Sequence, residues 1–141
     1  MELTALSAFR AGAWAWVLTG AGHLTLAAVL ALRPADPATA PAVAAMRDAD
    51  FGFAGPGRSL YDLNAGMSLV MGVALIFAGL VCVLVARGAP ALVGRSRSLS
   101  GPALVASMVA FGLSVWLLPL PPIVLFGVAT AAFGWAVRRA S

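Results

Sequence analysis

The run from 60 to 86 constrains this chain more than any other stretch, because its 27 residues carry a single charge, Asp62. As a helix it is about 40 Å long, more than the roughly 30 Å hydrocarbon layer of a bilayer requires. Three shorter apolar runs accompany it, at 11–32, 102–118 and 122–137. Hydrophobic residues make up 62% of the sequence and charged residues 10%, where soluble domains carry about a quarter charged. No water-soluble core of this length could hide so much apolar surface. The sequence therefore predicts one all-α integral membrane domain over 1–141, a four-transmembrane-helix bundle with a long outer loop at 33–58.

The punctuation between the runs supports these bounds. Arg10 and Arg33 flank the first run, whose 22 residues span about 33 Å as a helix. It exceeds the roughly 7–15 residues of a signal-peptide core, so it is expected to be retained, although PATAPA offers small residues for cleavage. Pro34, Pro37 and Pro41 stop that helix. PAVAAMRDAD (41–50) suits a short helix, and FGFAGPG then breaks the chain, with Phe51 and Phe53 in the headgroup layer or over a cavity. Ser59 and Asp62 fit a capping box at the start of the long run. Arg87, Gly88 and Pro90 end it. Gly101-Pro102 opens the third span, and PLPP (119–122) reads as a tight turn before the fourth.

All nine cations are arginines, placed in ones and twos at the ends of apolar runs. That pattern anchors a chain in a membrane and excludes a nucleic-acid partner. Four spans put Arg10, Arg87, Arg95, Arg97, Arg138 and Arg139 on the side of the termini, against Arg33, Arg47 and Arg58 on the other. The excess assigns both termini to the cytoplasm of a cell whose inner (plasma) membrane the chain crosses. Trp14, Trp16 and Trp135 then mark the inner interface, and Tyr61 and Trp116 the outer one. Cys82 stands alone in an apolar run, without a disulfide or metal-ligand partner. Gly72-Val73-Ala74 with Gly79 is echoed by Gly127-Val128-Ala129 with Gly134, which suits two related helical hairpins or a chance match. Small residues at this spacing let helices approach closely.

Polar groups inside spans are the informative ones, since lipid penalises them unless they face a partner or water. His23, the one histidine, lies roughly 13 Å below the outer end of its span, and counting from Leu60 brings Ser68 to that depth. Asp62 and Asn64 lie above it, and Thr130 reaches it from the fourth span. Histidine and a carboxylate can together move a proton, which makes Asp62 and His23 the catalytic candidates, expected to titrate as a coupled pair. Asn64, Ser68, Tyr61, Arg58, Trp116 and Thr130 are the candidates for holding a ligand. Each has an ordinary alternative: His23 as helix-packing glue, Asp62 as a helix cap paired with Arg58. Asp48 and Asp50 form an acidic pair that could hold a cation, or simply a solvated loop. No metal-ligand cluster and no phosphate-binding glycine loop is present, and no cofactor is implied.

The segments AGHL (21–24), AVAAMR (42–47), GPGRSLYD (55–62) and GMSLVMG (66–72) resemble a bacterial family of small four-span membrane proteins for which no activity is established. The resemblance covers about the first sixty per cent of the chain and implies a four-helix membrane fold. Relatives often carry Trp at the place of Tyr61 and a His after the GMSL segment. Val70 and Met71 stand there here, so a paired-histidine metal site is not implied.

The expected function is an outward-opening polar pocket for a lipid-like or isoprenoid-like small molecule, with acid/base isomerisation or cyclisation as its chemistry if it is an enzyme. The alternative is a non-catalytic accessory subunit that docks a membrane-protein partner, or a second copy, through small-residue helix faces.

Overall fold

The computed structural model describes residues 4–34, 36–50, 52 and 57–140. Phe51 and Phe53 lie outside them. Six helices follow in order: α1 (Ala5–Leu32), α2 (Ala40–Asp48), α3 (Leu60–Gly88), α4 (Pro90–Gly94), α5 (Ser100–Leu117) and α6 (Leu120–Arg139). Four of them, α1, α3, α5 and α6, are long and apolar enough to cross a membrane, so this is a multi-pass membrane protein with an all-α fold.

The helix ends differ from the sequence expectation in instructive ways. Helix α1 starts six residues before the apolar run, because Thr4 caps it by accepting the Ser7 N–H at 3.2 Å. Arg10 therefore lies inside α1, where its Nη2 donates to the Ala86 carbonyl at 3.0 Å and satisfies an acceptor near the end of α3. The PLPP stretch is a helix start rather than a turn. Proline in a first helical turn has no N–H that would go unpaired, so α6 begins at Leu120 and only Leu118 and Pro119 connect it to α5.

Helix α3 packs on α1, α1 on α6, and α6 on α5. The four long helices thus form a curled row of two hairpins, α1–α3 and α5–α6, joined through α1 and α6. The bundle is closed except between α3 and α5. Glycines set the approach of α1 and α3: a Cβ on Gly20 would stand 2.5 Å from the Gly72 carbonyl oxygen, and one on Gly79 only 2.7 Å from that of Ala13. The echoed pair in α6 faces its own hairpin partner less tightly, with Gly127 3.3 Å from Phe111 and Gly134 3.7 Å from Leu104 by the same measure.

The core sits at the end that carries both termini. Phe9 and Phe133 are fully covered, and the Phe133 ring meets those of Phe9 and Trp16 edge-on, each at 5.2 Å. Gly12 leaves the room for Phe133, since a Cβ there would stand 2.9 Å from its ring. Ala13, Ala86, Ala129 and Ala136 fill the gaps between helices. Trp16, expected at an interface, is instead half-buried against this core and donates its indole N–H to Ser107 Oγ at 2.9 Å, tying α1 to α5.

Candidate functional site

At the opposite end the polar groups of the outer loop meet the start of α3. Gly57, at φ +76°, turns the chain just before Arg58. Ser59 then caps α3: Asp62 N–H donates to Ser59 Oγ at 3.2 Å, while Asp62 Oδ2 accepts from Ser59 N–H at 3.2 Å and from Ser59 Oγ at 2.8 Å. This reciprocal box is the one the sequence suggested. Helix α2 is strapped alongside through Leu60 N–H to the Ala49 carbonyl (2.9 Å) and an antiparallel bridge between Asp50 and Ser59. The Arg47 guanidinium lies over the Tyr61 ring at 4.8 Å. Tyr61 therefore holds α2 in place.

Below this collar one exposed face of α3 carries a shallow, open groove of ≈ 520 Å³ lined by residues of 58–71 alone. Arg58 and Asp62 stand at its mouth, and Leu63, Gly66, Met67, Val70 and Met71 form its wall. Arg58 is exposed, and its charge acts on the Asp62 carboxylate beside it. A second space of ≈ 300 Å³ lies where the row of helices is open. Met71, Ala74, Leu75 and Ala78 of α3, Ala106 and Ala110 of α5, Trp16 of α1 and Phe126 of α6 line it.

His23 is in neither space. Its Nε2 is 2.6 Å from Ser68 Oγ, a bond between α1 and α3 that the count of helical rise anticipated. Asp62 is not brought to this pair. Six residues separate Asp62 from Ser68, which at about 100° each places them some 120° apart around α3 and about 9 Å apart along it. The expected His23–Asp62 coupling therefore has no direct contact, and Ser59 holds the carboxylate instead. Nor do His23, Asn64 and Ser68 converge on a cavity: Asn64 is exposed, while His23 and Ser68 bond to each other.

The remaining candidates are dispersed. Trp116 is 80% exposed near the end of α5 and borders neither space. The Thr130 hydroxyl is buried and has no hydrogen-bond partner among the described residues. Asp48 ends α2 and Asp50 bridges to Ser59, both exposed. No group of three or more His, Cys, Asp or Glu side chains gathers as a metal site among the described residues. The methionine wall of the groove and the paired alanines of the cleft were not singled out from the sequence. Their signal was present as spacing, Leu63, Met67 and Met71 at every fourth residue and Ala74–Ala78 and Ala106–Ala110 likewise.

No protein-family model, curated protein or solved structure matches the chain, so its own geometry carries the functional reading.

Proposed function

We propose that this protein binds a lipid-like or isoprenoid-like amphiphile in the α3 groove, on the side of the membrane away from its termini. The observation that carries this reading is the groove itself, with an exposed arginine beside Asp62 at its mouth and an apolar, methionine-rich wall below. Methionine is flexible and polarisable, and such a wall can follow a chain of variable shape. Binding fits better than acid/base catalysis. His23 is committed to Ser68 outside the groove, and the one carboxylate at the mouth is held by Ser59. The docking alternative has less behind it, because Gly20, Gly72 and Gly79 are consumed in packing α1 on α3.

The chain lies in the plasma membrane with both termini in the cytoplasm, on the strength of six arginines against three. Ala40→Cys and Arg95→Cys, each placed in a Cys82→Ala background, are expected to react with an impermeant thiol reagent from opposite sides. Reaction from one side would remove that topology.

Gly66 supplies the direct test of the groove. A Cβ there meets nothing within 4 Å, so a side chain can start from Gly66 without a clash, and Gly66→Leu sets an isobutyl group into the groove. Binding of a fluorescent alkyl phosphate to the purified protein should be saturable in the wild type and lost in this variant. Equal binding by both would sink the proposal.

A further inference from the structure

We propose that the end of the molecule that carries both termini binds the headgroups of anionic phospholipids, through Arg87, Arg95, Arg97, Arg138 and Arg139. This surface lies at the opposite end from the α3 groove and does not depend on it.

The fold collects these side chains from three separate stretches. Arg87 is in the last turn of α3, Arg138 and Arg139 are in the last turn of α6, and Arg95 follows α4 as its C-cap. Helix α4 ties the stretches together, because it packs against α1, α3 and α6 and buries Val93 completely. Arg97 leads into α5, its carbonyl accepting the Gly101 N–H at 2.9 Å. Around it the hinge is held in a turn: Ser98 N–H donates to Ser96 Oγ at 3.1 Å, and the two hydroxyls bond at 2.8 Å. All five arginines are exposed. Arg10 turns inward to the Ala86 carbonyl and is not part of the surface.

The positive charge there is not balanced by the protein. Among the described residues no Asp or Glu lies at this end: Asp36, Asp48 and Asp50 belong to the stretch between α1 and α3, and Asp62 to the first turn of α3. Glu2 is the one acidic side chain of the sequence on this side of the spans, and it lies outside the described residues. Nor do the helix ends supply negative charge. Helices α3 and α6 end here with about half a negative charge each, but α1 and α5 begin here with as much positive charge, and the four cancel.

Depth selects a lipid headgroup as the partner. Trp14 on α1 and Trp135 on α6 are 44% and 39% exposed, and tryptophan settles where headgroups meet hydrocarbon. Arg139 lies four residues beyond Trp135, a rise of about 6 Å toward the end of the helix. Its guanidinium sits over the Trp135 ring at 5.1 Å. The exposed arginines therefore stand at the level of the phosphates, which reach them from the surrounding leaflet. Guanidinium binds phosphate through charge-assisted hydrogen bonds. A phosphatidylcholine headgroup brings its own cation to its phosphate, whereas a phosphatidylglycerol headgroup does not. The surplus of arginine selects the second.

Electron spin resonance on the full chain in phosphatidylcholine vesicles tests the surface. The probes are traces of spin-labelled phosphatidylglycerol or phosphatidylcholine, and the immobilised fraction of each gives its relative affinity for the protein. The wild type is expected to prefer phosphatidylglycerol about fivefold, the order set by one arginine beside an anionic surface. Arg95→Gln/Arg97→Gln and Arg138→Gln/Arg139→Gln should each lower that preference, and the two pairs together should remove it. Arg33→Gln, at the other end, should leave it unchanged. Equal association of the two lipids with the wild type overturns the proposal, as does a loss in Arg33→Gln as large as in either pair. Polyglutamate that binds through the same arginines while the two lipids associate equally would give the surface to an acidic protein instead.

Discussion

The two ends of this molecule are built on different principles. At the end of the termini, Phe9, Phe133 and Trp16 interlock among fully covered alanines, and Arg10 reaches across to the last turn of α3. At the loop end the same helices leave most of their apolar surface uncovered: Leu30, Met67, Val70, Trp116 and Leu120 are all more than half exposed. There, among the described residues, one side-chain hydrogen bond, His23 to Ser68, joins α1 and α3. Lipid makes both ends tolerable, because uncovered apolar side chains cost nothing against acyl chains. The difference teaches that a membrane protein can concentrate its packing at one end and leave helix surface open at the other. Packing, not burial from water, separates the two.

The comparison can be broken first where it should be strongest. Phe133→Ala removes the ring at the centre of the packed end, and we expect a loss of about 3 kcal/mol, the low end for phenylalanine in a core because lipid rather than water refills the gap. Thermal unfolding in mild detergent would show it. A shift no larger than that of an alanine substitution at the 80%-exposed Trp116 would mean that the two ends do not differ.

A sharper version uses one substitution at two places on one helix. Gly79→Ala sets a Cβ 2.6 Å from Val17 Cγ2 and 2.7 Å from a backbone oxygen, so it should destabilise by about 1–3 kcal/mol through overpacking. Gly66→Ala meets open space, and the better helix propensity of alanine should raise stability by up to about 1 kcal/mol. Opposite signs are the expected result, read from the same unfolding curves. Two losses of equal size would show that α3 is packed along its whole length.

The smallest effect belongs to the loop-end bond. Ser68→Ala deletes one interhelical hydrogen bond, and such bonds in membranes average about 0.6 kcal/mol. Steric trapping in bicelles can resolve a change of that size. A loss near that of Phe133→Ala would make His23–Ser68 a keystone and undo the contrast between the ends.

Much of the architecture was legible before any coordinates. The four long helices, the short α2 and the Ser59–Asp62 box follow from apolar length, prolines and short-range polar spacing, all of which act within a few residues, whereas the five-residue α4 stands where the sequence suggests only a hinge. Helical rise is so regular that counting from the span ends matched His23 to Ser68 across two helices. The first boundary was missed because a Thr4 cap outside the apolar run extends α1 past Arg10.

What remained illegible was which face of each helix meets which neighbour. In water the polar face of a helix marks the outside, so periodicity in the sequence points to the core. In lipid both faces are apolar and that mark disappears. Trp16 reads equally well as an interfacial anchor or a core ring, and only the packing of α6 and Ser107 made it the latter. Asp62 and His23 lie in the same half by count, yet the rotation of α3 about its axis keeps them apart. Apolar length and local caps are therefore set by the sequence alone. Which faces of α1 and α3 meet, and so which side of the row is left open, arises from close fit between small residues such as Gly20, Gly72 and Gly79 and their partners, which only the tertiary structure decides.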